Sequence, residues 1–120
     1  MSTSKRMSRF KFVAGALLAT ALVVPAGSAV ARSVTGGGAT AWSPAGGDAG
    51  KIAVKDGSND GDPAKAEYYR SASAGTKRTL WNKSGPGTTA YSGSGSRIIK
   101  FQACDENDWD GDDCSGWVAP

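Results

Sequence analysis

The feature that most constrains this chain is a pair of cysteines near its C-terminus. Cys104 ends an apolar run at residues 97–103, and Cys114 comes shortly before Trp117 and Val118. They are the only cysteines, and the chain contains no histidine. A metal or reactive-thiol site would need further ligands or a basic partner, so the pair predicts a disulfide between two adjacent strand ends. Closing so short a loop stabilises a fold by about 3 kcal/mol.

The loop between the cysteines is strongly acidic. It holds six of the chain's eleven acidic residues, and Trp109 is its only large apolar residue. Trp109, Asp108, Asp110 and Asp112 form a candidate binding surface. The alternatives are that water solvates the carboxylates, or that a divalent cation, a basic partner or the domain's own Lys and Arg residues relieve their repulsion.

The first thirty-one residues have the pattern of a secretory signal peptide. A basic start precedes an apolar run at residues 12–24 that is too short to span a membrane, and the segment ends in the cleavage pattern Ala29-Val30-Ala31. Removing it leaves ten Lys and Arg against eleven Asp and Glu. We therefore expect a secreted, monomeric protein with no affinity for membranes, and its charge gives no reason to expect nucleic acid binding.

The pattern of the mature chain predicts an all-β domain. Residues 51–55 and 64–70 alternate between polar and apolar side chains, and Gly-rich turns recur every eight to twelve residues. We expect a small β-sandwich of six or seven short antiparallel strands with one disulfide, or alternatively a small β-barrel. Residues 51–120 would form this domain, and residues 32–50 a loosely ordered Gly/Ala/Ser-rich lead-in with one strand, where Trp42 docks on the core.

The aromatic residues leave two interpretations open. Trp42, Trp81, Tyr69, Tyr91 and Trp109 could form a stacking platform for sugars, because a flat ring offers an apolar face to the C–H groups of a pyranose. The alternative is that they fill the core. The alternation around residue 80 does not decide whether Leu80 or Trp81 points inward, and the large apolar residues at 98–101 and 117–118 are core candidates.

Residues 56–67 match the ligand spacing of a twelve-residue calcium loop. Asp56, Ser58, Asp60, Asp62 and Glu67 occupy ligand positions, and Gly61 stands where such a loop bends sharply. Pro63 and strand-like flanks depart from that pattern. The alternative is a turn stabilised by its Asp and Asn side chains, with Glu67 out of reach.

The composition excludes most nucleophilic catalysis. Without histidine or a free cysteine, Ser-His and Cys-His chemistry and histidine-based zinc hydrolysis are ruled out. A carboxylate pair or a Ser-Lys dyad has no visible motif, and so small a domain has little room for a deep cleft. We assign no catalytic residue and expect no enzymatic activity.

Two segments carry a resemblance to a known group. VKDGSNDGDPAKAEYYR, at residues 54–70, and KFQACDENDWDGDDCSGWV, at residues 100–118, resemble a family of short exported actinobacterial proteins of uncharacterised function. The resemblance implies secretion and a disulfide, and it carries over no activity. Our expectation is a secreted, non-enzymatic binding or interaction domain that contacts an extracellular protein or a glycan and needs no cofactor. The alternatives are a calcium-stabilised module and a small hydrolase.

Overall fold

The computed structural model describes residues 30–107 and 111–120. All but the last two residues of the predicted leader therefore lie outside the described residues, as do residues 108–110 of the cysteine loop. Eight strands are present in the described part: β1 Arg32–Gly36, β2 Ala39–Ser43, β3 Ala53–Asp56, β4 Ala64–Arg70, β5 Ser73–Asn82, β6 Thr89–Tyr91, β7 Ile98–Asp105 and β8 Asp113–Cys114. No helix in this part of the chain is long and apolar enough to cross a bilayer.

The strands form two four-stranded antiparallel sheets. The first has the order β1-β2-β3-β6 and the second the order β5-β4-β7-β8. The chain completes three strands of the first sheet, crosses to the second for β4 and β5, returns for β6 and crosses again for β7 and β8. The prediction of a small all-β sandwich is thus confirmed, with two separate sheets instead of a closed barrel and with more strands than the six or seven expected.

The core between the sheets is built largely from small residues. Five of its ten buried hydrophobic members are alanines, and Phe101 is the largest side chain that is fully enclosed. Alternation along β4 turns Ala64, Ala66 and Tyr68 inward, as the sequence predicts. Small inward side chains let two sheets approach closely, and among the described residues the only large rings in this core are Phe101 and Tyr68.

Residues 32–50 are more ordered than the sequence indicates. Instead of a loose lead-in with one strand, they contain β1 and β2, which form a hairpin through Gly37 and Gly38. A side chain at Gly36 would overlap the backbone of Ala103 and Ser115, so glycine is required where β1 crosses β7. The sequence did not predict these strands because Gly, Ala and Ser, which permit close packing here, are also the residues typical of loops.

Trp42 does not enter the core, contrary to the prediction. Alternation along β2 turns Ala39, Ala41 and Ser43 inward and leaves Trp42 half-buried on the outer side. Trp42 pairs with Ala53 on β3, and Ala53 pairs in turn with Tyr91 on β6. The same outcome holds for Trp117, which is 40% exposed.

Cys104 and Cys114 are bonded to each other, which confirms the predicted disulfide. They are direct partners in the β7–β8 register, with Cα atoms 4.0 Å apart. Beyond β8, Val118 exchanges two backbone hydrogen bonds of 2.9 Å with Phe101. The disulfide and this bridge together hold the C-terminal segment along the edge of β7. Such a bond is compatible with an extracellular protein.

Two polar side chains fasten the loops at opposite ends of the sandwich. Arg70 donates hydrogen bonds to the carbonyls of Gly50, Gly93 and Ser96 at 2.8–3.1 Å. The buried amide of Asn82 donates to the carbonyls of Val54 and Thr88. Each side chain therefore links carbonyl groups from separate segments of the chain.

We expect Ala66→Val to lower the free energy of unfolding by about 1–3 kcal/mol, because the added methyl groups must enter a closely packed space between the sheets. Urea denaturation measures the change. Ala74→Val is the matched control, since Ala74 lies exposed on β5 and should change stability by less than about 0.5 kcal/mol. An equal effect of the two substitutions would contradict close packing at residue 66.

Reducing the disulfide should lower the free energy of unfolding by about 2–4 kcal/mol, since the unfolded chain regains the freedom that the loop removed. Denaturation of the Cys104→Ser/Cys114→Ser variant measures this, with and without reductant. Reductant should lower the stability of the native chain and leave that of the variant unchanged. Titration of two free thiols in the native chain would refute the bond.

Candidate binding face

The outer surface of the second sheet departs from the polar surface expected of a small domain. Because Ala64, Ala66 and Tyr68 point inward, Lys65, Glu67 and Tyr69 must point to the other side of β4. The register places their neighbours on β5 and β7 on the same surface. We call this surface the aromatic face and define it by Lys65, Glu67, Tyr69, Lys77, Trp81, Lys83, Lys100, Gln102 and Trp117.

One corner of the aromatic face is built around Trp81. Leu80 packs against the core, which settles the ambiguity in the sequence and turns Trp81 outward, where it is 39% exposed. The ammonium groups of Lys65 and Lys83 each lie 5.0 Å from its ring centroid. These are cation–π distances, so the indole holds two positive charges near its ring.

The opposite corner pairs two rings with one lysine. The centroids of Tyr69 and Trp117 are 5.2 Å apart, with the ring planes tilted by 52°. The Lys100 ammonium lies 4.5 Å from the Tyr69 centroid and 5.3 Å from that of Trp117. The C-terminal segment supplies Trp117, so the backbone bridge between Val118 and Phe101 holds this corner in place.

A charged network of two lysines and two carboxylates, which sums to zero, separates the two corners. Glu67 accepts hydrogen bonds from Gln102 at 2.8 Å and from Lys77 at 3.3 Å, and Lys65 bonds to both Glu67 and Asp112. Burial by itself would raise the pKa of Glu67, but these hydrogen bonds and the Lys65 charge outweigh it and lower the pKa. Burial likewise opposes the charge of Lys65, yet Asp112 and Glu67 raise its pKa. Both groups therefore stay ionised at neutral pH.

Only one member of the predicted acidic surface lies within the described residues. Asp108, Trp109 and Asp110 lie outside them, whereas Asp112 is described and contacts Lys65. The domain's own lysine thus compensates one loop carboxylate, which is one of the alternatives that the sequence allows.

The structure does not assemble the predicted calcium ligands. Asp56 Oδ1 accepts a hydrogen bond from the Ser58 amide, and Asp60 Oδ1 accepts one from the Asp62 amide, which is the geometry of side-chain-stabilised turns. Glu67 lies on the aromatic face with its oxygens engaged by Gln102 and lysines. Among the described residues, no three Asp, Glu or Cys side chains are grouped closely enough to hold an ion.

A cleft of about 390 Å³ lies between the turn at residues 57–63 and the turn at residues 83–87. Asp62, Pro63, Lys83, Pro86 and Glu106 are among the residues that line it. The cleft adjoins the Trp81 corner through Lys83, and its mixture of acidic and basic groups gives it no single charge preference.

A pair of carboxyl groups beside this cleft was not predicted. Asp105 is buried, with its Oδ2 accepting a hydrogen bond from the Gly38 amide at 3.3 Å. Burial and the adjacent Asp60 carboxyl raise the pKa of Asp105 to about 6. The hydrogen bond from Asp105 correspondingly lowers the pKa of Asp60. The two carboxyls therefore share one proton below that pH.

Several residues of the aromatic face had no individual signal in the sequence. The alternation of residues 64–70 placed Lys65, Glu67 and Tyr69 together, and the platform hypothesis named Tyr69 and Trp81. Nothing local indicated that Trp117 or Lys100 would join them, because strand order decides which residues are neighbours. Trp42 and Tyr91 belong to the other sheet.

The fold and this face define a small disulfide-bonded all-β domain with three aromatic rings grouped on the outer side of its second sheet. No family model, no curated protein and no solved structure matches the chain. The resemblance to short exported actinobacterial proteins therefore stays a prediction.

Asp105→Asn should stabilise the protein at pH 7.5. Folding raises the pKa of this carboxyl from near 4 in the unfolded chain to about 6. Its contribution to the free energy of unfolding is therefore complete below pH 4 and is lost as the pH rises through about 6. The amide carries no charge to desolvate and can donate to Asp60. We expect a gain of about 1–2 kcal/mol at pH 7.5 and little at pH 4, measured by urea denaturation.

Glu106→Gln is the matched control for that measurement. It removes one negative charge from the next residue, which is only half-buried, and so should not reproduce the pH dependence. An Asp105→Asn variant whose stability keeps the native pH profile between 5 and 7 would rule out the shared proton.

Proposed function

We propose that this protein is an exported, monomeric, non-enzymatic domain that binds a glycan through the aromatic face. Export rests on the predicted leader, with cleavage after Ala31, and the Cys104–Cys114 bond is consistent with it. A glycan is the preferred partner among the two classes that the sequence suggested.

One observation carries the proposal: three rings lie on the outward side of a sheet that already has a complete core beneath it. Trp81 and Trp117 are each about two-fifths exposed, although solvated positions on the surface of a sheet normally hold polar side chains. Exposed rings in one surface are typical of interaction sites. Flat rings offer apolar faces to sugar C–H groups, while lysines and Gln102 offer hydrogen-bond donors to hydroxyls.

The shape of the surface also favours an extended ligand. The two corners lie four residues apart along β4 and two strands apart across the sheet, which is a separation of roughly 16 Å. An elongated chain can contact both corners at once. A compact small molecule would reach only one.

Affinity electrophoresis through gels containing soluble polysaccharides tests the proposal. We expect at least one polysaccharide to retard the full chain, and Trp81→Ala or Trp117→Ala to weaken that retardation about 30-fold, the effect of losing a Trp that contributes about 2 kcal/mol. Tyr91→Ala is the control, since Tyr91 is 59% exposed on the other sheet. No retardation by any polysaccharide, or an equal loss with Tyr91→Ala, would contradict a glycan site on this face.

A further inference from the structure

Two cations of the aromatic face differ from the others in having no carboxylate partner among the residues that the structure describes. Lys65 and Lys77 are paired with Glu67, and Lys65 also with Asp112. Within the described residues, Lys83 and Lys100 form no ion pair, and each ammonium lies over an aromatic ring. These two lysines stand at the opposite corners, one beside Trp81 and the other beside Tyr69 and Trp117.

We infer that the ligand is a carboxylated polysaccharide, with one acidic sugar bound at each corner. This inference rests on the proposed function and adds the chemical class of the glycan to it. Each corner combines a ring for the apolar side of a sugar with an ammonium group for its carboxylate. The net charge of the network between the corners is zero, because Lys65 and Lys77 balance Glu67 and Asp112. The part of a polysaccharide that crosses this network therefore needs no charge.

The spacing of the charges favours an acidic glycan over a nucleic acid. A nucleic acid strand in a duplex carries one phosphate per 3.4 Å of axis, so four or five phosphates would fall within roughly 16 Å. Two of the charges that such a strand would meet are the carboxylates of Glu67 and Asp112. A polymer that carries negative charges only where Lys83 and Lys100 can pair with them avoids that repulsion.

The test compares polygalacturonate whose carboxyls are mostly methyl-esterified, so that its free carboxylates stand well apart along the chain, with the fully esterified polymer, the ester, which keeps the sugar backbone and loses the charge. The full chain is expressed with its leader in an exporting host, and dissociation constants are measured by titration calorimetry at two salt concentrations. We expect polygalacturonate to bind at least 10-fold more tightly than the ester, and this preference to shrink at high salt because exposed charges are screened.

Substitutions separate the contribution of charge from that of stacking. Lys83→Gln/Lys100→Gln should weaken polygalacturonate binding at least 10-fold and leave binding of the ester unchanged. Trp81→Ala should weaken both. Lys51→Gln/Lys55→Gln, which removes two cations at the other sheet, should change neither. Thermal unfolding of each variant should match that of the native chain, since these lysines support no part of the core.

The outcomes distinguish this inference from the proposed function. Equal affinity for polygalacturonate and its ester, or binding of neutral polysaccharides alone, would overturn the inference and leave a glycan-binding face. Tighter binding of an oligothymidylate strand that also depends on Lys83 and Lys100 would overturn it in favour of a nucleic acid. Failure to bind any polysaccharide would overturn both.

Discussion

The rest of this structure depends on the close approach of two sheets across an alanine-rich core. Ala39 and Ala41 on one side face Ala64, Ala66 and Ala103 on the other, and Phe101 is the largest fully buried side chain in this core. Such a core has no room for an indole. The three tryptophans within the described residues are accordingly all found on outer surfaces, half-buried or exposed. The packing that limits the core therefore also produces the exposed rings.

The C-terminal segment connects the core to the aromatic face. Cys104 lies fully buried on β7, and its bond to Cys114 holds β8 at the sheet edge. The backbone bridge from Val118 to Phe101 then fixes the next turn, so that the intervening Trp117 packs beside Tyr69. In a domain with so small a core, this covalent constraint makes ordering a two-residue strand much less costly in entropy.

Local pattern predicted those parts of the fold that depend on alternation, and it did not predict those that depend on strand order. The inward alanines of β4 and the cysteine pairing followed from the sequence. The hairpin of β1 and β2 did not, since the need for glycine at residue 36 arises only when β1 meets Ala103 and Ser115. For the same reason Glu67, which matched a calcium ligand by spacing, is instead surrounded by Gln102 from β7 and Lys77 from β5. A linear motif cannot record that these strands flank β4.

The lysines of the aromatic face would also make its exposed rings compatible with the monomer that we propose. A bare patch of tryptophan and tyrosine on a flat sheet is prone to self-association. Here an ammonium group lies near each ring, where its charge keeps water at the surface and repels the same face of a second copy. An uncharged partner would offer those ammonium groups no counter-ion. A partner with carboxylates would supply one, so the charges that would keep copies of the proposed monomer apart also set the charge of the ligand that we infer.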